Sequence, residues 1–136
     1  MIVLDASLAA AWLLHEADAV PTSALVGFLA TEPIMVPAHW PGEIGNALRR
    51  AVRTKRIATA EIEPIVRRLT LLSISVAQPL AISDIGHLAR FALDHGLSTY
   101  DASYVRLAEM QRATLATLDS AMKTAARKVG VATLPV

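Results

Sequence analysis

The sequence contains no cysteine, which excludes disulfides, thiolate nucleophiles and every zinc or iron–sulfur site built on sulfur. Any metal must sit on oxygen or imidazole. Aromatic residues make up only 4% of the chain, so a platform stacking many bases is not expected. The longest apolar run, Leu8 to Leu14, falls well short of the roughly 18 residues that suggest a membrane span, and no membrane contact is expected. No Lys or Arg precedes Arg49; the basic region of a secretory signal is thus missing, and a cytoplasmic location is expected. Internal repeats, low-complexity stretches and linker-like runs of Gly, Ser or Pro are absent too.

What is present suits one folded domain spanning residues 1–136. Apolar residues are 54% and charged residues 18%, enough to bury a core and too apolar for a disordered chain. Thirteen basic against twelve acidic residues leave a net charge of +1, so neither a polybasic nor an acidic tail is in view.

Short apolar runs alternate with helical patterns. Ile2 to Leu4 is a strand ended by Asp5, and Ser7 is placed to cap a helix running to about His15. A second helix starts near Thr22, Ile34 to Val36 is a strand, and Pro41 opens a helix with Ile44, Ala47, Leu48 and Ala51 on its apolar stripe. Thr59 to Leu72 is helical with a break near Pro64. There follow a strand at Ile74 to Val76, a helix at Ser83 to His95 closed by Gly96, and a helix at Ser98 to Arg112. Thr114 to Leu118 is a strand, Ser120 to Lys128 a helix, and Val131 to Leu134 a last strand. Unalternating apolar strands between helices predict an α/β fold, a parallel sheet with helices on both faces.

In such a sheet, ligands bind beyond the carboxyl ends of the strands. Asp5 and Asp119 are predicted to end strands there, and Glu43 and Asp101 to lie in first helical turns. Asp84 also lies in a first turn, and the helix dipole alone stabilises such acids by about 0.3 to 1 kcal/mol. Asp5 and Asp119 are different, because a carboxylate ending an apolar strand is expected to be desolvated, which is costly unless it is paired. No nearby Lys or Arg offers that pairing. Hard oxygen ligands without cysteine select Mg²⁺ or Mn²⁺.

The segments Val3-Leu4-Asp5-Ala6-Ser7, Glu43-Ile44-Gly45-Asn46-Ala47-Leu48, Tyr100-Asp101-Ala102-Ser103 and Ala116-Thr117-Leu118-Asp119 resemble, in order, the four signature blocks of the PIN-domain ribonucleases, most closely the VapC-type toxins. The likeness extends from Ile2 to Val136. It implies a three-layer parallel fold in which Asp5, Glu43, Asp101 and Asp119 hold Mg²⁺ or Mn²⁺ for endoribonuclease cleavage of RNA. It further implies a homodimer and a cognate antitoxin that presents an arginine to the acids. Ser7, Asn46 and Thr117 are placed to orient the carboxylates or their water, although capping and packing account for them equally well. The middle of the chain, about Arg53 to His87, varies most among such proteins and leaves the particular RNA unassigned.

Other signals are weaker. Asp5 with Ser7 two residues on is similar to the motif of phosphatases with an aspartyl nucleophile, which need a second Asp where Ser7 stands. The four histidines form no i, i+4 pair of the kind zinc prefers. His39 precedes Glu43 in the same turn and is within reach of the acids, packing beside Trp40 being the plainer expectation. Arg49, Arg50, Arg53, Lys55 and Arg56 crowd the end of one helix, where the dipole favours cations. With the four acids neutralised by metal, 13 basic residues would face the remaining 8 acidic ones, a balance that suits RNA, with Arg49 and Arg53 as phosphate contacts. Trp12, Leu13, Phe28 and Leu29 are expected at a protein contact, or in the core. The competing reading is a metal-free RNA- or protein-binding module on the same fold.

Overall fold

A computed structural model describes residues 1–14, 27 and 29–135. The expected ends of the first two helices, His15 and Thr22, lie outside the described residues, as does Phe28. Five strands, β1 (Ile2–Leu4), β2 (Ile34–Val36), β3 (Ile74–Val76), β4 (Thr114–Ala116) and β5 (Thr133–Leu134), form one sheet in the order β3-β2-β1-β4-β5. Every pairing is parallel. The α-helices include α1 (Ala6–Leu13), α2 (Trp40–Arg53), α3 (Ile62–Arg67), α4 (Ile85–His95), α5 (Thr99–Gln111) and α6 (Ser120–Lys128). Helix α1 packs against α2, while α5 packs on β1 and β4 and touches α4 and α6. The result is the expected three-layer α/β architecture.

The chain extends the sheet from β1 to β2 and β3 on one side, then crosses to β4 and β5 on the other. The point of reversal, between β1 and β4, is where a doubly wound sheet leaves a crevice at its carboxyl edge. Around it the core is dry: Ile2, Val3, Leu4, Val36, Tyr104, Val105, Leu115 and Ala116 are fully buried.

Local chemistry accounts for the helix ends. Pro41 sits in the first turn of α2, where its missing N–H costs nothing. The expected helix from Thr59 to Leu72 divides into a 3-10 turn at Thr59–Glu61, the helix Ile62–Arg67 and a second 3-10 turn at Arg68–Leu71; Pro64 lies in the first turn of the middle piece. Gly96 ends α4 at φ 63°, a left-handed conformation that costs glycine no Cβ clash.

Two expectations about the strands need correction. The strand begun at Thr114 stops at Ala116 rather than Leu118, and the last strand is only Thr133–Leu134. β3 is an edge strand whose residues are half-buried or exposed; among the described residues no strand continues the sheet beyond it. Leu13 and Leu29 are core residues, at 1% and 4% exposure, so they form no contact surface. Trp12 is half-buried under Arg68, whose guanidinium lies 5.4 Å from its ring and bonds the carbonyls of Leu13 and Trp12.

Candidate active site at the carboxyl edge of the sheet

Four helices begin along this edge, and each carries one of the four acids in its cap or first turn. Asp5 follows β1 and is the N-cap of α1, accepting from the Ser7 N–H at 3.3 Å. Ser7 was expected to be the cap. It instead donates its hydroxyl to Asp5 Oδ2 at 2.7 Å. Thr117, fully buried just beyond β4, donates to the same oxygen at 2.8 Å and accepts the Asp119 N–H at 3.1 Å. One hydroxyl thereby fastens the ends of the two strands that flank the crevice. Asp5 is 4% exposed, and its burial is offset by these neutral donors, so its position does not by itself demand a cation.

Asp119 is the N-cap of α6 and accepts from the Met122 N–H at 2.8 Å. It is exposed. The expectation of a desolvated carboxylate at a strand end fails here because the chain leaves the sheet at Thr117, two residues earlier. Capping, worth about 0.5 to 2 kcal/mol, thus accounts for Asp5 and Asp119 singly, as the helix dipole does for the first-turn acids. What capping leaves unexplained is the gathering of all four on one edge.

That gathering is visible in the electrostatics of Asp101, in the first turn of α5 with its N–H on Ser98 Oγ at 3.1 Å. Burial pushes its carboxyl above the usual range; the charges of Asp119, Asp5 and Glu43 push the same way, and a hydrogen bond with Ser98 opposes them. One carboxyl that feels the other three places them all within Coulombic reach. They do not converge on a single point: among the described residues, no three acidic or histidine side chains lie close enough together to hold a metal ion.

Glu43, in the first turn of α2, accepts a 2.8 Å bond from the phenol of Tyr104. His39 Nε2 lies 2.9 Å from the same oxygen but is not aligned to bond it. The imidazole packs edge-on against Tyr100 and Tyr104, at 5.2 and 5.4 Å between ring centres, rather than simply beside Trp40. Sequence reasoning passed over Tyr104. Its spacing of three from Asp101 on a helix did put both on one face, but its partner Glu43 is 61 positions away and only the fold joins them.

The remaining expected residues lie further out. Asn46 is exposed, and no hydrogen bond joins it to Glu43. Arg49 and Arg53 are exposed on the later turns of α2, roughly 9 and 15 Å along the axis from Glu43 at 1.5 Å per residue. Arg50, seven residues on from Glu43, shares its stripe, whereas Arg49 is turned about 120° away at 100° per residue. A shallow hollow of about 350 Å³ beside Ala108, Arg112, Thr114 and Val131 opens at the opposite, amino edge and takes in none of the acids.

Fold and site together define a doubly wound parallel domain with an acid-lined carboxyl edge. The PIN domain family model matches residues 2–128. Over 120 residues the chain is 33% identical to VapC ribonuclease Mb0985 of Mycobacterium bovis and to ribonuclease VapC9 of Mycobacterium tuberculosis, covering 88% of this chain and 86% of each relative. Its fold matches the crystal structure of PAE2754 from Pyrobaculum aerophilum with a TM-score of 0.72 and 22% identity, over 98% of this chain and 88% of that one. The chain belongs to the PIN-domain family and, within it, to the VapC type.

Proposed function

We propose that this protein is a divalent-metal-dependent endoribonuclease and the toxin of a toxin–antitoxin pair. The observation that carries the proposal is the placement of Asp5, Glu43, Asp101 and Asp119 in the caps or first turns of four helices that start along one edge of the sheet; the raised carboxyl of Asp101, pushed up by burial and by the other three charges, supports it. The names of its VapC relatives, ribonucleases both, support the substrate.

In donor chemistry the four acids fit Mg²⁺ or Mn²⁺, and binding would draw together side chains that stand apart here. All four groups are hard oxygen ligands. Three carboxylates have one oxygen anchored by the protein: Asp5 Oδ2 by Ser7 and Thr117, Glu43 Oε1 by Tyr104, and Asp119 Oδ1 by the Met122 N–H. The second oxygen of each is left for a cation, though Asp5 Oδ1 also takes the long Ser7 N–H bond. Asp5 and Asp119, tied through Thr117 to the ends of β1 and β4, would be the inner ligands; Glu43 and Asp101 would bind directly or through water. A bound ion supplies an activated water and offsets the charge that develops on the phosphate oxygens. The chain's own part is to hold these acids and to turn four helix N-termini, which favour anions, toward the scissile phosphate.

The proposal is tested by incubating the purified protein with RNA and Mg²⁺ or Mn²⁺. Cleavage that stops on adding chelator is expected. RNA retained but uncut in the presence of either ion would identify the metal-free binding module instead.

The basic end of α2 supplies phosphate contacts along the substrate. Replacing Arg49 and Arg53 together by Ala is expected to weaken RNA binding and to flatten its logarithmic salt dependence by about 1.4, at roughly 0.7 per phosphate contact on single strands. An unchanged slope from a salt titration would reduce the cluster to helix capping.

The protein forms a homodimer. Val66, Leu71, Val76, Leu80, Ile82 and Ile85 are 41 to 87% exposed and fall in the segment around edge strand β3, an apolar run that association would cover. Ile82→Asp is expected to convert a dimer to a monomer in sedimentation at micromolar concentration; a wild type that sediments as a monomer would refute the dimer. The antitoxin inhibits by placing a guanidinium among the acids, where bidentate hydrogen bonds compete with metal for the same oxygens.

A further inference from the structure

Tyr104 is fully buried, and its phenol stands at a junction of three elements. It accepts the Ala6 N–H at 3.4 Å and donates to Glu43 Oε1 at 2.8 Å. The direction of both bonds is fixed by the partners. A backbone N–H can only donate, so the phenol receives it and directs its own proton to the carboxylate. Ala6 is the first residue of α1 and itself buried, one of the helix-start N–H groups with no intrahelical acceptor. The next N–H, that of Ser7, goes to Asp5. Adjacent amides at the start of α1 therefore hold Asp5 directly and Glu43 through Tyr104.

Packing explains the ring but not the hydroxyl. A phenylalanine would fill the same space between α5 and the sheet without the cost of burying a polar group. The hydroxyl is kept in place by two partners, one of them in the acid cluster. On the other side of Glu43, His39 lies 2.9 Å from the same Oε1, and its ring stands at 84° to that of Tyr104. Oε1 thus has a phenol and an imidazole as close neighbours.

We infer that Tyr104 is a positioning residue for the metal site: it anchors Glu43 through Oε1, presents Oε2 to the cluster, and ties the carboxylate of α2 to the helix start beside Asp5. This rests on the metal-dependent reading of the site. Its physical effect is to order a side chain with three rotatable bonds before a ligand arrives.

The test is Tyr104→Phe, read by Mn²⁺ calorimetry without RNA, by steady-state cleavage and by thermal unfolding. Partners that orient metal ligands typically change affinity by 10- to 100-fold. The Phe variant is therefore expected to fold, to bind Mn²⁺ at least about 10-fold more weakly, and to lose kcat while its KM for RNA stays within about twofold of wild type. In a Glu43→Ala background the same substitution is expected to change Mn²⁺ affinity no further, because the phenol acts through that carboxylate. A variant with a lower Tm but undiminished Mn²⁺ affinity would give Tyr104 a structural role only and overturn the inference. So would an equal loss of affinity with and without Glu43. Failure of the metal-dependent reading itself is distinguishable, since it appears in the wild type as no Mn²⁺ binding.

Discussion

Asp5→Asn is expected to slow RNA cleavage by more than about 100-fold while leaving the fold intact. Outer partners of metal ligands already account for 10- to 100-fold, and removing the charge of an inner ligand exceeds that. Asparagine keeps the shape and an oxygen that can accept from Ser7 and Thr117, which hold Asp5 Oδ2 at 2.7 and 2.8 Å. Stability without metal changes in a pH-dependent way. The raised Asp101 binds its proton more tightly in the folded protein than in the unfolded chain, whose value is near 3.8. The folded state then carries more protons between 3.8 and the raised value, so stability from this group falls as pH rises through that window. Asp5 is one cause of the shift. Thermal melts in chelator should accordingly show the Asp5→Asn variant losing less stability than wild type between pH 4 and 7. Wild-type cleavage rates in this variant would remove Asp5 from the site.

Thr117→Val is expected to destabilise the protein by about 2 to 4 kcal/mol. The substitution is close to isosteric, so little packing is lost. It deletes a donor to a buried carboxylate and the acceptor of the Asp119 N–H. A hydrogen bond to a charged group contributes about 1.5 to 3 kcal/mol, and the partly buried bond from the Asp119 N–H about 0.5 to 1.5. Thr117→Ser, which keeps the hydroxyl and loses one methyl, is expected to cost about 1 kcal/mol. Urea unfolding separates the two. Equal stability of the Val variant and wild type would mean that Thr117 does not fasten β1 to β4.

Much of this was legible in the residues. Ile2–Leu4 and Ile34–Val36 end where their apolar runs end, because Asp5 and Pro37 follow them. Pro41, Pro64 and Gly96 mark helix starts, breaks and stops through backbone constraints that act locally. All four acids fall on the edge expected of them, since helix starts and strand ends are local events as well.

The misreadings were non-local. Asp5 and Ser7 are both able to cap, and which one does so depends on where β1 lets go of the sheet. Asp119 looked buried because Thr114 to Leu118 reads as one strand, yet Leu118 is 39% exposed and the chain has already turned toward α6. Strand order is not written in periodicity. The edge position of β3, which exposes Val76, and the meeting of Tyr104 with Glu43 follow from that order.

The central claim is that Asp5, Glu43, Asp101 and Asp119 act as one metal site. Calorimetric titration of Mn²⁺ into the wild type and into each of Asp5→Asn, Glu43→Gln, Asp101→Asn and Asp119→Asn tests it most directly. A binding isotherm is expected in the wild type and should be weakened at least about 10-fold in all four variants. Mn²⁺ binding that survives unchanged in Asp5→Asn or Asp119→Asn, or that is absent from the wild type, would contradict it.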